Sequence, residues 1–580
     1  MNQIDFKEQK IARDRSLSII LQSKSIKKII VSGPGTGKTF TFKKILEIKE
    51  GNYLVITFIN KLAKKLDCDL SKHAKTCTFH SYCIELLHKL ENNDLSNKFI
   101  LFPKLETIIK SDSKLLYDRS LYDFSRSFRT INISNNNIDF FIKRSSYYNA
   151  VSFDDSVYRV LEYFKHNPNK IPKYNQIVVD EYQDFNRLEV EFLNLLSDKS
   201  PILIVGDDDQ ALYGSIRNAS ARFIREKYND LAFKIFCLPF CCRCTEVITQ
   251  ALQDLIRNAK NMGKLKNRID KKYICYLPDK WKDNKKYPKI ICANCSVQNT
   301  RSPYIAKFIE SEISKLPIEE IVDVNKKSDY TTLVAGSSHY LKQVRNYFCN
   351  LNGSYKLFYE DSSKDFNTLN IIDGYKILIN EDISSNLGWR ILMEFDKVKN
   401  MTLIIKKTVL DPSNKLNKML PSLYIKKHFD IMATLKRVSR GELINLENQN
   451  KIESIAGIKI EKIKDILESK SNKRDNKIEK NENEISIVFS TYVGCKGLSA
   501  GFTFIIGLDE NNLPKNNQSP SDIEICKFIV ALTRTIKKCY LITCNRFGGE
   551  REGRRPSVFI KWIEPKRLKC IRVDKNYFKN

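Results

Sequence analysis

The stretch Val31–Phe42, VSGPGTGKTFTF, decides how the rest of the chain is read. It follows an apolar run, KKIIVS, and leads into a segment of helical character from Lys38. Glycines at 33, 35 and 37 let the backbone turn its N–H groups inward onto an anion, and the helix N-terminus behind them adds positive dipole. Lys38 is placed to reach the outer phosphates of a nucleotide, and the Thr39 hydroxyl to hold magnesium. The outer glycines stand one residue closer than in the strict eight-residue pattern, so partners elsewhere in the chain must complete the site.

Those partners follow in order. QIVVDEYQD (176–184) is an apolar strand ending in Asp180, suited to the metal's coordination shell, and Glu181, suited to taking a proton from an attacking water. ILIVGDDDQALYGSIRNAS (202–220) brings three acids and Gln210, an uncharged group that can meet a γ-phosphate or orient water. Further on, LPFCCRCTEVIT carries Arg243, and FIVALTRTIKKCYLIT carries Arg534 on an expected helix. Two arginines far apart in sequence suit a cleft between two lobes that senses phosphate charge from both sides.

Apolar strands alternating with amphipathic helices predict two α/β cores. The first comprises residues 1–85 and 171–250, interrupted by a mainly helical, aromatic-rich insertion at 86–170. The second comprises 251–350 and 485–580, interrupted by a helical and polar insertion at 351–484. The end of that insertion, 459–484, reads as a solvated helix end and basic linker.

Of the 580 residues 42% are hydrophobic and 29% charged, as in a globular chain, and no apolar run reaches membrane-spanning length. The N-terminus lacks a signal-peptide core and the 16 cysteines form no framework, which predicts a cytoplasmic protein with reduced thiols and no membrane partner. Formal net charge is +30, from 98 Lys and Arg against 68 Asp and Glu spread along the chain, which favours a polyanionic partner. The pairs Cys241/Cys244 and Cys292/Cys295 have metal-ligand spacing. One brackets Arg243 and the other follows an expected core strand, so buried thiols are the expectation there.

Taken in sequence order, these segments resemble the motifs of superfamily 1 helicases of the UvrD/Rep/PcrA type. KEQKIARD, with Gln9, is similar to the adenine-reading Q motif, and GPGTGKT (Gly33, Pro34, Gly35, Thr36, Gly37, Lys38, Thr39) to motif I. TFINKLAKKL (57–66) and TFHSYC (78–83) resemble motifs Ia and Ib; VVDEYQD and VGDDDQALYG resemble motifs II and III. LPFCCRC resembles motif IV, the stretch 490–514 motif V, and FIVALTRTIKK motif VI.

The resemblance implies an α/β fold of two RecA-like P-loop motor domains, each with a mainly helical inserted subdomain. ATP and Mg2+ would lie in the cleft between them. The motor would move 3′ to 5′ along single-stranded DNA and unwind tailed duplex, in repair, replication or recombination. Glu181, Lys38, Gln210 and Arg534 would carry catalysis, Gln9, Arg243, Arg534 and residues 33–39 would hold the nucleotide, and Thr39 and Asp180 the metal. Phe58, Asn60, His80, Tyr213, Thr491 and Lys496 fall at strand-contacting or coupling positions, their aromatic faces suited to base stacking.

The chain departs from the family at three places. Cysteines flank Arg243 where motif IV normally supplies an aromatic stack, which leaves Gln9 as the expected main base reader. SIR replaces the aromatic of motif III, and Ser499 stands where glutamate is usual in motif V. These changes leave a second reading open: a DNA-stimulated ATPase or sensor that works with a nuclease subunit, as in anti-phage systems such as Gabija.

Overall fold

The computed structural model describes residues 3–47, 51–57, 63, 74–93, 99–117, 123–131, 136–351, 355–360, 368–442, 444–468, 482–550 and 552–579. Phe58, Asn60 and nearly all of the motif Ia-like stretch lie outside the described residues, as does 469–481 in the expected linker.

Two parallel sheets organise the chain. The first uses β1 (Lys27–Ser32), β2 (Tyr53–Thr57), β3 (Lys75–Thr78), β4 (Gln176–Val179), β5 (Ile202–Gly206) and β6 (Lys234–Leu238), in the order β3-β2-β4-β5-β1-β6. Strands covered on both faces read as unbroken apolar runs, and YLVIT and ILIVG are buried throughout. Parallel order brings the loops after β1, β4 and β5 to one edge of the sheet, where α/β proteins bind their ligands. Gly206 makes that edge compact, because a Cβ there would lie 2.5 Å from Oε1 of Gln183.

The second sheet uses β7 (Ile290–Cys295), β8 (Tyr330–Gly336), β9 (Lys356–Glu360), β10 (Ser486–Thr491), β11 (Ala500–Ile506), β12 (Thr535–Cys544) and β13 (Leu568–Val573), in the order β9-β10-β8-β11-β12-β7-β13. Strand β9 belongs to this sheet although its residues fall within the expected insertion. KLFYE is a short edge strand whose partner β10 is remote in sequence, so no local pattern marks it. The helix Glu246–Asn261 packs its apolar face against Asp522–Leu532 of the second core, and Asn258 Nδ2 donates to the Trp562 carbonyl at 2.9 Å.

The insertions are helical as expected and they join each other. Asp112 of the first insertion is fully buried between Arg144 at 2.7 Å and Arg390 of the second at 2.8 Å, and Tyr148 donates to it at 2.6 Å. Lys104 pairs with Asp373 at 2.8 Å, and Ser111 donates to Glu394 at 2.9 Å. One hydrophobic cluster runs through both insertions, from Phe141 and Val157 to Trp389 and Leu435. No described helix is long and apolar enough to cross a membrane.

Candidate nucleotide site between the two cores

The phosphate loop has the backbone its glycines were read for. Gly35 and Gly37 have φ of 71° and 88°, a left-handed region that side-chain-bearing residues rarely adopt, and Gly37 is the N-cap of the helix Lys38–Leu46. The Tyr273 ring lies over Gly33, so that a Cβ there would sit 2.5 Å from Cδ2, and its hydroxyl donates to the Pro34 carbonyl at 2.7 Å. Nothing local in the sequence identifies Tyr273 as part of this loop.

A cavity of about 620 Å3 opens on the loop. Residues 34–39, Asp180, Glu181, Gln210, Arg243 and Arg534 line it, together with Cys242, Asp279, Lys280, Asp283 and Lys537. Gln9 stands outside the lining, and its Oε1 accepts from the Leu277 N–H at 2.9 Å, at the start of the helix that carries Asp279 and Asp283. The expected base reader is therefore engaged with the protein backbone.

Glu181 is the most constrained group in the cleft. Its backbone is left-handed, at φ 54° and ψ 41°, a conformation that costs about 1–3 kcal/mol for a side-chain-bearing residue. Lys38 Nζ lies 3.4 Å from Oε1, while Gln183 Nε2 donates to Oε2 at 2.5 Å and Lys496 Nζ stands 3.6 Å from it. Burial pushes this carboxyl up, but Lys38 and Lys496 outweigh it and hold it below the usual carboxylate range. Asp180 moves the other way, pushed up by burial and then by the adjoining Glu181 charge. One carboxylate is thus kept ionised and ready to accept a proton, and its neighbour gains from a nearby cation.

The second core supplies the opposing cations. Arg534, just beyond the expected helix and 3% exposed, donates through NH2 to Gln210 Oε1 at 2.9 Å. Burial and then the charge of Arg243 lower its pKa to about 10. Two guanidinium groups in one buried cleft, facing a loop of inward N–H groups, form a site of anion chemistry, and the donor set fits a triphosphate. Thr39 and Asp180, both in the lining, are the residues that would hold its magnesium.

Lys496 corrects an expectation. It does not reach a DNA-facing surface: its side chain is 1% exposed, bonded to Asp184 and donating to the Gln210 carbonyl at 2.7 Å. Burial between the cores removes the ammonium from any strand. His80 is partly buried, its side chain 15% exposed, with Nε2 accepting from Arg217 at 3.2 Å and its ring edge-on to Phe153, centroids 5.2 Å apart. Tyr213 lies 5.7 Å above the Lys496 ammonium, and Thr491 Oγ1 accepts from the Gly494 N–H at 2.9 Å. The cysteine pairs occupy separate places: Cys241 Sγ lies 3.0 Å from the Tyr273 hydroxyl oxygen, and Cys292 lies opposite Cys570 on the neighbouring strand.

A family model described as an AAA domain matches residues 17–215. The ATP-dependent DNA helicase Rep of Buchnera aphidicola (subsp. Schizaphis graminum) is 26% identical over 89% of this chain and 91% of its own length. The ATP-dependent DNA helicase PcrA of Staphylococcus epidermidis is 22% identical over 92% of this chain and 84% of its own, and DNA helicase II of Haemophilus influenzae is 27% identical over 41% and 39%. The order of the site residues and these end-to-end likenesses agree: over most of its length the chain is similar to superfamily 1 helicases of the UvrD/Rep/PcrA type.

Proposed function

We propose that the protein is an ATP-dependent DNA helicase that hydrolyses ATP between its two cores and moves 3′ to 5′ along single-stranded DNA, parting a tailed duplex ahead of it. The observation that carries this reading is the pair of links across the cleft, Arg534 to Gln210 and Lys496 to Glu181, which tie the hydrolytic groups of one core to cations of the other. A change in phosphate state on one side is felt on both.

In this reading Lys38 and the 33–39 backbone bind the β- and γ-phosphates, and Glu181 takes the proton of the attacking water. Arg243 and Arg534 stabilise charge on the transferring phosphoryl group, while Gln210 holds water or γ-phosphate in line. Thr39 and Asp180 would hold magnesium, which would neutralise phosphate charge. A triphosphate competes with Glu181 for the single ammonium of Lys38, so nucleotide binding releases one oxygen of the base. The +30 net charge supports a nucleic-acid track.

The test pairs an ATPase assay, with and without single-stranded DNA, with unwinding of duplexes bearing either a 3′ or a 5′ tail. Expected are DNA-stimulated hydrolysis and unwinding from the 3′ tail. Hydrolysis indifferent to DNA sinks the motor reading, and unwinding from the 5′ tail alone reverses the polarity.

A further inference from the structure

A segment outside every motif, Arg268–Tyr273, reaches both halves of the phosphate site. Tyr273 covers Gly33, as described above. Lys271, its side chain 3% exposed, extends into the three consecutive aspartates after β5 and contacts Asp207 at 2.7 Å, Asp208 at 2.6 Å and Asp209 at 2.9 Å. Among the described residues these aspartates are the one acidic, cysteine or histidine group close enough to share a cation, and the cation there is an ammonium of the chain itself.

Neutralisation does not account for the whole arrangement. Asp209 also has Arg268, bonded twice at 2.7 Å, and Asp208 has Arg225 at 3.0 Å. For Asp207, Lys271 is the cation, and it takes Oδ1. The other oxygen, Oδ2, accepts from Gln210 Nε2 at 2.6 Å. With its amide nitrogen so held, Gln210 turns Oε1 to Arg534. Asp207 is fixed on its backbone side as well, since its N–H donates to Gln183 Oε1 at 3.0 Å and Gln183 in turn donates to Glu181. The Lys271–Asp207 ion pair therefore leads on by a hydrogen bond to Gln210, and the Asp207 N–H leads through Gln183 to the general base.

The geometry points to Lys271 as a positioning residue for ATP hydrolysis: it orients the Asp207 carboxylate, which sets the Gln210 amide against Arg534. Lys271 lies outside the lining of the cavity at the phosphate loop and acts only through Asp207. The inference rests on the proposed ATPase activity and adds to it a residue that no motif marks. Outer-shell partners of this kind typically change activity about 10–100-fold.

The full-length chain is compared with Lys271→Met, Lys271→Arg, Gln210→Ala and the double variant Lys271→Met/Gln210→Ala. Measured are kcat and KM for DNA-stimulated ATP hydrolysis, affinity for a fluorescent ATP analogue, and thermal midpoint. Expected for Lys271→Met is a fall in kcat of about 10–100-fold, with KM and analogue affinity unchanged. Lys271→Arg should recover most of the loss, and the double variant should be no slower than Gln210→Ala. If Lys271→Met does not fold, Asp207→Asn breaks the same link with two carboxylates left on the lysine, and must show the same kcat fall and the same non-additivity. Losses that multiply in the double variant, or a fall in affinity parallel to kcat, overturn the inference. A wild-type chain that binds the analogue but hydrolyses no ATP overturns the functional reading itself.

Discussion

Lys496 of the second core holds its ammonium 3.6 Å from Oε2 of Glu181 in the first, while bonded to Asp184. The cation nearest the expected general base, apart from Lys38, is thus contributed by the opposite lobe. Any separation of the cores removes it, and the charge environment of Glu181 follows the cleft.

Removing the Glu181 charge leaves the phosphate loop intact. Glu181→Gln should lower kcat by about 10²–10⁴-fold while ATP is still bound. Lys38→Ala should instead lose affinity for the nucleotide. Nucleotide binding by a fluorescent analogue, run beside phosphate release, separates the two effects. Wild-type turnover in Glu181→Gln would remove it from the role of base.

The Lys496–Asp184 pair is buried, so breaking it from one side strands a charge. Burial raises the Asp184 carboxyl to about 6 even with the lysine in place. Lys496→Met should destabilise the chain by about 3–5 kcal/mol, and Lys496→Met/Asp184→Asn should recover much of that. Urea unfolding of the three proteins measures it. No recovery in the double variant would mean the loss comes from packing.

Arg390 is fully buried and binds Asp112, Ser111 and Glu394, three partners that bridge or brace the two insertions. Arg390→Met should cost about 3 kcal/mol or more and loosen the joint between them. Hydrogen exchange should rise in Leu105–Tyr117 and Asn386–Asp396 and stay unchanged in β4 and β5. Uniform acceleration over the chain would show that the joint is not a local unit.

His80 gives a pH signature. Burial, then the charges of Arg217 and Arg129, push its pKa well below the ordinary value of about 6.5. The unfolded chain binds a proton at this histidine below about pH 6.5 and the folded one does not, so stability is complete above that pH and is lost as pH falls. One unit below it the loss is about 1.4 kcal/mol. The thermal midpoint of the wild type should therefore drop further than that of His80→Gln between about pH 7.5 and about pH 5.5. Equal drops would show that His80 is protonated in the folded chain.

The sequence by itself determined the chemistry of the cleft. Apolar runs closing on GPGTGKT, DE and GDDDQ mark strands that end at one sheet edge, because parallel strands buried on both faces leave their functional groups at their C-terminal ends. Lys38, Thr39, Asp180, Glu181 and Gln210 were legible for that reason, and they line the cavity together with Arg243 and Arg534.

Tertiary structure decided where the long side chains between those strands went. Lys496 reads as a strand-contacting or coupling residue in sequence and is buried on Asp184; Gln9 reads as a base reader and meets a helix start. Lys271 and Tyr273 lie beyond every motif yet hold the aspartate loop after β5 and the phosphate loop. Strand β9 and the Asp112–Arg390 joint depend on partners more than a hundred residues away. Local patterning records which face of an element is buried, but the partner of a buried charge is chosen by whichever remote group the folded chain brings within hydrogen-bond reach.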